Sequence, residues 1–356
     1  MSKLNRFSPK SVMKSLAFIT PVLAFSLATP AQASIDCTLT PGSPNQTFNI
    51  NNLLDVTAAD LRLAVPLSVA CSKSGSGARV GYFCMRIGKG SAGTPAGSAY
   101  APRWLAKDAT NYAGMQIYKG SFGGAVWGSK EAGAPSPNFA NLVYGIALNQ
   151  TYTFSMPLYV ELLSTFPAVG GVSDIKFLPP GTYTSNFNDT FTEWQARTGA
   201  AVDDDCTGLS LDNRVRAFNF AVTAIITPQC KITATTADID FGTQSASATN
   251  LQGATNLKVQ CTNTTPYFIG LKPGNSNANG SGVMLKGADQ IAYQLRQATG
   301  MSGAIWGNTA TTIAAGNGVA GTGNGLVKDH PIYATVASAD GAVGTYSDTV
   351  TVTVNY

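Results

Sequence analysis

The chain has 356 residues, of which 37 are Gly, 18 are Pro and only 12% are charged. That composition fits neither a highly charged disordered tail nor a nucleic-acid module with a strong basic face, and the length predicts two globular domains. The formal charge of +4 reflects Lys3, Arg6, Lys10 and Lys14; without them 19 basic residues face 19 acidic ones, a balance with no global field for nucleic acid or an anionic membrane.

Residues 1–33 combine that basic start with an apolar stretch from Leu16 to Leu27, interrupted by Pro21, and end on Ala31-Gln32-Ala33. The pattern predicts a secretory signal peptide. A membrane anchor would need an apolar run of roughly 20 residues. The mature chain is then expected to begin near Ser34, outside the cytoplasm, where disulfides are stable. Six cysteines follow: Cys37, Cys71, Cys84, Cys206, Cys230 and Cys261. No two have C-x-x-C spacing and the sole histidine, His330, is remote from them, so neither a metal site nor a cofactor is expected.

From Cys37 onward, short segments rich in Val, Ile, Thr, Tyr and Phe alternate with Gly, Asn, Ser and Pro, an all-β signature. Leu53 to Leu63 suits a short helix or a loop equally. Three long loops, Gly88 to Arg103, Lys130 to Ala140 and Ser164 to Pro180, are the places to seek binding. Their candidates are Ala96, Ala99, Tyr100 and Ala101, then Ala134 and Pro135, then Phe166, Pro167, Ala168 and Val169. Tyr100 and Phe166 also suit a plainer role as caps on the core.

A strand is expected at about Thr182 to Trp194, and Asp203 to Asp205 suit a solvated loop better than a calcium site. Residues 215–226 alternate as a strand whose apolar face is Phe218, Phe220, Val222, Ala224 and Ile226. It predicts a closing strand for the first domain. At the chain's end Val350, Val352, Val354 and Tyr356 share one face while Thr349, Thr351, Thr353 and Asn355 share the other, leaving an apolar-faced free edge.

The two halves repeat. Cys37 and Cys71 are 34 residues apart, Cys230 and Cys261 are 31 apart, and Gly81-Tyr82-Phe83 matches Tyr267-Phe268-Ile269. Met115-Gln116-Ile117 and Gly124-Ala125-Val126-Trp127-Gly128 match Tyr293-Gln294-Leu295 and Gly303-Ala304-Ile305-Trp306-Gly307; Gly181-Thr182-Tyr183 matches Gly344-Thr345-Tyr346. The repeat predicts bridges Cys37–Cys71 and Cys230–Cys261, with Cys84–Cys206 as an extra staple, and places Trp127 and Trp306 in the cores. It divides the mature chain into residues 34–226, a linker at 227–229, and residues 230–356.

Together Cys230, Asp240-Phe241-Gly242, Cys261, Tyr267, Tyr293-Gln294-Leu295, Trp306-Gly307, Tyr333 and Gly344-Thr345-Tyr346-Ser347-Asp348 resemble the spore coat protein U domain, the pilin domain of archaic, Csu-type chaperone-usher pili. The resemblance implies two immunoglobulin-like β-sandwiches in tandem, the second an incomplete pilin fold lacking its last strand. A periplasmic pilus chaperone and then the next pilin subunit would supply that strand, with an outer-membrane usher assembling the fibre. With only Ser34, Ile35 and Asp36 ahead of Cys37 after cleavage, the chain is expected to accept a strand at the edge formed by Val350, Val352, Val354 and Tyr356 and to donate none. Strand 215–226 then looks like a donor fused in cis, and the whole resembles a tip adhesin at the cell surface. Its apolar loops would meet abiotic or host surfaces in biofilm formation; a glycan-binding adhesin and a structural pilus or coat subunit are the alternatives. No enzyme is expected: there is no phosphate loop, no nucleophile elbow, and no reason to pair Glu131, Glu161 and Glu193.

Overall fold

The computed structural model describes residues 34–41, 45–75, 80–96, 102–127, 142–143, 150–188, 192–199, 218–234, 237–274 and 277–356. The expected signal segment, Cys206, Ala99, Tyr100, Ala101, Ala134 and Pro135 lie outside those residues. The fold is all-β and builds two sandwich-like bodies, each with its own hydrophobic core.

The N-terminal body contains β1 (Ser34–Pro41), β2 (Gln46–Ile50), β3 (Arg62–Val65), β4 (Leu67–Ser74), β5 (Val80–Ile87), β6 (Arg103–Ala106), β7 (Tyr112–Tyr118), β8 (Leu142–Val143), β9 (Thr151–Ser155) and β10 (Leu158–Leu162). It continues with the hairpin β11 (Thr165–Val169) and β12 (Val172–Asp174), then β13 (Gly181–Phe187), β14 (Thr192–Gly199) and β15 (Phe220–Ile226). A seven-stranded sheet, in the order β2-β15-β13-β6-β7-β10-β3, faces three-stranded sheets β1-β4-β9 and β14-β5-β8. Between them pack Phe83, Trp104, Met115, Trp127, Val160, Tyr183, Phe187 and Val222, all at most 1% exposed.

The period-two pattern makes these strands. In β4 Leu67, Val69, Cys71 and Lys73 are buried while their neighbours are not, so one face meets the core. The ribbon β3–β4 against β9–β10 is one antiparallel pair broken at Pro66 and Pro157, which face each other between the Val65–Leu158 and Ser68–Ser155 pairs. Proline has no N–H for the ladder, so the ribbon bends there and passes from one layer to the other.

The C-terminal body contains β16 (Cys230–Ala234), β17 (Thr249–Cys261), β18 (Pro266–Lys272), β19 (Ser281–Lys286), β20 (Asp289–Arg296), β21 (Val319–Thr322), β22 (Val327–Ser338) and β23 (Thr351–Asn355). Its sheets are β16-β17-β22-β20-β19 and β21-β18-β23, closed around Leu257, Tyr267, Ile269, Leu271, Leu295 and Trp306.

Two expectations from sequence need revision. Leu53 to Leu63 forms neither a helix nor a simple loop; a 3-10 turn at Leu53–Asp55 is followed by β3, because Asp60 satisfies the amide and hydroxyl of Thr57 and turns the chain into the strand. The strand expected from Thr182 to Trp194 is two strands, β13 in the large sheet and β14 in the small one.

The bodies meet through short polar contacts around residues 227–229. Gln229 Oε1 accepts the Leu54 amide at 3.0 Å, Lys231 pairs with Asp55, and Asn263 Nδ2 donates to the Phe177 carbonyl at 2.7 Å. Gly325, at φ +80°, lies against the Phe177 ring.

Candidate functional site

Strand β15 is the natural starting point. Its inward residues Phe220, Val222, Ala224 and Ile226 are at most 6% exposed, and Phe220 stacks on Phe187 with ring centroids 4.5 Å apart. It runs antiparallel to β13 from Gly181–Ile226 to Phe187–Phe220 and parallel to β2 from Gln46–Val222 to Ile50–Ile226. Thus β15 is an interior strand of the large sheet, even though a long stretch of chain separates it from β14. Phe218, just before the strand, is 8% exposed and stacks on Phe220.

The repeat locates the corresponding place in the C-terminal body. The indole of Trp127 donates to the Met85 carbonyl at 3.2 Å, and that of Trp306 donates to the Ile269 carbonyl at 3.0 Å. Met85 is therefore the counterpart of Ile269, and Phe83 of Tyr267. The sequence match of Gly81-Tyr82-Phe83 to Tyr267-Phe268-Ile269 is out by two residues, a shift that preserves inward and outward alternation and so leaves the hydrophobic pattern unchanged. With this register the small sheets coincide, β14-β5-β8 with β23-β18-β21.

The counterparts of β2 and β13 follow. Phe48 lies eleven residues beyond Cys37 and Phe241 eleven beyond Cys230, so residues 239–243 stand where β2 stands. Gly344 to Asp348 stand where β13 stands: Tyr183 Oη donates to the Pro179 carbonyl and Tyr346 Oη to the Ala342 carbonyl, each four residues back, at 2.8 and 2.7 Å. Among the described residues no strand lies between these two segments; a groove of about 500 Å³ does. Its floor is Leu251, Met284, Ile291 and Val336, and its walls include Ile239, Phe241 and Tyr346.

The burial of matched residues differs accordingly. Phe48 and Tyr183 are 2% and 0% exposed, whereas Phe241 and Tyr346 are only half-buried, and Val343 at the lip is 96% exposed. Residues 344–348 touch β19 through a single bridge, Leu285–Ser347, while β13 has a full ladder with β15. The segment is anchored at its end by Asp348, which accepts from Tyr293 Oη at 2.6 Å. Burial, and then this bond and the carboxylate charge, push the Tyr293 hydroxyl far above the usual tyrosine range.

Other residues singled out from sequence fall in varied places. Bonds join Cys37 to Cys71 and Cys230 to Cys261. Cys84 lies on β5, and its expected partner Cys206 is outside the described residues. Ala96 is half-buried and its carbonyl accepts from Trp104 Nε1 at 2.8 Å, which roots the first loop on the core.

Phe166, Pro167, Ala168 and Val169 form β11. Phe166 takes the plainer of its two expected roles, as a cap on the core: it is 7% exposed, packed edge-on against Trp104 and directly over Gly114, while Pro167 and Ala168 are exposed and the hairpin leads into Ile175–Phe177, which touches the C-terminal body. The acceptor edge expected at Val350, Val352, Val354 and Tyr356 needs correction. These residues belong to β23 and its flanks in the small sheet; the first three are half-buried against the core and Tyr356 is 48% exposed. The counterpart of β23 is β14, which β15 does not touch, so the place equivalent to β15 is the groove and not the β23 edge.

Sequence reasoning missed that groove because its walls, residues 239–246 and 341–346, are short and broken by Gly242, Gly341 and Gly344, and the alternation of Ile239-Asp240-Phe241 does not say what it faces. The signal that finds it is the pair of Gly-Thr-Tyr motifs once β13 is seen beside β15. Among the described residues no group of three or more His, Cys, Asp or Glu is placed to hold a metal ion, and no catalytic constellation is present. His330 Nε2 instead shares a 2.9 Å hydrogen bond with Tyr267 Oη, and Glu161 pairs with Arg62.

Residues 216–353 match the family model of the Spore Coat Protein U domain, a span that begins just ahead of β15 and ends in β23. No curated protein matches the chain significantly. Among solved structures, the chaperone-tip adhesion subunit pre-assembly complex CsuC-CsuE from archaic chaperone-usher Csu pili of Acinetobacter baumannii is similar at 16% identity and a TM-score of 0.45, covering 90% of this chain and 100% of that one. The CupB6 tip adhesin from Pseudomonas aeruginosa is similar at 13% identity and a TM-score of 0.41, covering 90% and 94%. A chaperone-tip adhesin complex described as vital for synergistic activation of CFA/I fimbriae biogenesis is similar at 12% identity and a TM-score of 0.29, covering 89% and 96%. Identities and TM-scores at this level carry no argument about fold or function.

Proposed function

We propose that the protein is a two-domain adhesin subunit of a chaperone-usher pilus, exported through the periplasm and carried at the fibre tip. Residues 34–226 form an immunoglobulin-like domain completed by its own strand 215–226, and residues 230–356, after the linker 227–229, form a pilin domain that lacks one strand. The observation that carries this reading is the contrast within one chain: β15 fills the position between β2 and β13, and the matching position between residues 239–243 and 344–348 is an open groove with an apolar floor. The family match supports it, because the matched span includes β15 ahead of Cys230.

On this reading a periplasmic chaperone and then the next pilin subunit place a strand in the groove, the usher exports the complex, and Phe241 and Tyr346 are covered as Phe48 and Tyr183 are. Strand addition suits the chemistry: the edges supply backbone donors and acceptors while the floor accepts alternate apolar side chains. The loops at 88–103 and 130–140, with Ala99, Tyr100, Ala101, Ala134 and Pro135, are the proposed contacts with apolar surfaces in attachment and biofilm formation. Immunogold labelling against the N-terminal domain tests the reading. Label confined to fibre tips is expected; label along the whole shaft would refute it.

A further inference from the structure

The walls of the groove are held by a device that occurs twice. In the C-terminal body Lys286 Nζ donates to the Val343 carbonyl at 2.7 Å, its stem lies across Gly344, and its ammonium stands 5.8 Å from the Tyr346 ring. In the N-terminal body Lys107 Nζ donates to the Pro180 carbonyl at 2.8 Å and its stem lies across Gly181. Both glycines have positive φ, 143° at Gly181 and 156° at Gly344. A Cβ on Gly181 would lie 2.8 Å from Lys107 Cε, and one on Gly344 would collide with Lys286 Cδ, so each glycine admits the lysine stem. In each body the tyrosine two residues on bonds back to the carbonyl immediately before the one the lysine holds.

The two copies sit in different circumstances. Beside Lys107 the segment is a strand laddered to β15; beside Lys286 it has no such neighbour among the described residues. Because the lysine, glycine and tyrosine take the same arrangement in both, the arrangement does not depend on the neighbouring strand. We propose that Lys286 is a positioning residue for strand acceptance: it pins the start of residues 344–348 in strand geometry, so that the wall is formed before the partner arrives. This rests on the reading of the groove as a strand acceptor. Lys107 is the same device in a site that is already full, where the ladder makes it redundant. Asp289, 3.4 Å from Lys286 Nζ, is the acidic group on the solvent side of the clamp.

Amide hydrogen exchange on the full chain separates these roles. The readout is the reciprocal pair that ties the wall to β19, Leu285 N to the Ser347 carbonyl at 2.9 Å and Ser347 N to the Leu285 carbonyl at 3.2 Å. Lys286→Met keeps the apolar stem and removes the bond to Val343; both amides are expected to exchange about tenfold faster or more, and Lys286→Arg to restore them. Lys107→Met is expected to leave the β13 amides unchanged. A peptide with the sequence of residues 218–226, added to the wild-type chain, is expected to slow exchange at Leu285 and Ser347. Slowing by the peptide together with wild-type exchange in Lys286→Met would overturn the role of Lys286 alone. Failure of the peptide to protect those amides would overturn the acceptor reading on which it rests.

Discussion

Replacing Phe220 by Ala tests whether β15 is an integral part of the N-terminal core. The side chain is 6% exposed and packed between Phe187, at 4.5 Å and 5° between ring planes, and Phe218, at 5.4 Å and 9°. Removing a buried phenylalanine costs about 3 to 5 kcal/mol, of which the two stacked contacts account for roughly 0.5 to 1.5 kcal/mol each. Thr223, on the outward face of the same strand, is the control. Its hydroxyl meets that of Thr184 at 3.2 Å across the ladder, a pair worth about 0.2 to 1 kcal/mol.

Urea unfolding of the full chain followed by tryptophan fluorescence makes the comparison, because Trp104, Trp127 and Trp194 report on the N-terminal core and only Trp306 on the other. The expected result is a lowered midpoint for the N-terminal transition in Phe220→Ala and little change in Thr223→Ala. A loss below about 1 kcal/mol at Phe220, or equal losses at the two positions, would show that the strand is not built into the core.

Further expectations follow from particular contacts. Changing Cys37 and Cys71 together to Ser should cost about 2 to 4 kcal/mol, read without reductant as a lowered midpoint of the N-terminal urea transition. Arg103 is fully buried and donates to the carbonyls of Gly88, Ile87 and Trp127 and to Gln116 Oε1, so Arg103→Met, which strands those acceptors, should cost about 3 kcal/mol or more by the same assay. Gly325→Ala places a Cβ 2.7 Å from the Phe177 ring at positive φ; faster protease cleavage near residues 227–229 is expected, and an unchanged rate would argue against that contact as a joint.

Asp108 accepts from Thr110 and Asn111, through both amides and both side chains, which holds its carboxyl well below the usual range. The folded chain therefore binds fewer protons there than the unfolded one. The stability this adds is complete above the ordinary aspartate pKa of about 3.9 and is lost as pH falls. Asp108→Ala should flatten the acid limb of a thermal-midpoint profile and leave its neutral shape alone.

The all-β class, the two cores, the two bridges Cys37–Cys71 and Cys230–Cys261, and β15 itself were all written in local patterns. Alternation places Phe220, Val222, Ala224 and Ile226 on one face whatever the strand pairs with, and repeated cysteine spacing identifies partners without reference to the sheet. Alternation is also what sequence cannot see past. A period of two names a buried face but not the sheet that buries it, so the strand ending at Tyr356 had the pattern of an acceptor edge, and only its pairing with β18 placed it in the small sheet, away from the groove. The apolar run from Phe166 to Val169 suited a surface contact and a core cap alike until packing put Phe166 on Trp104. Residues 239–246 and 341–346 are short and broken by Gly242, Gly341 and Gly344, and in the folded chain their backbones are not paired into strands on either side of the groove. The groove became visible only when tertiary structure showed those segments to be the equivalents of β2 and β13, because an open place between two segments is a relation between distant parts of the chain and leaves no mark on any one of them.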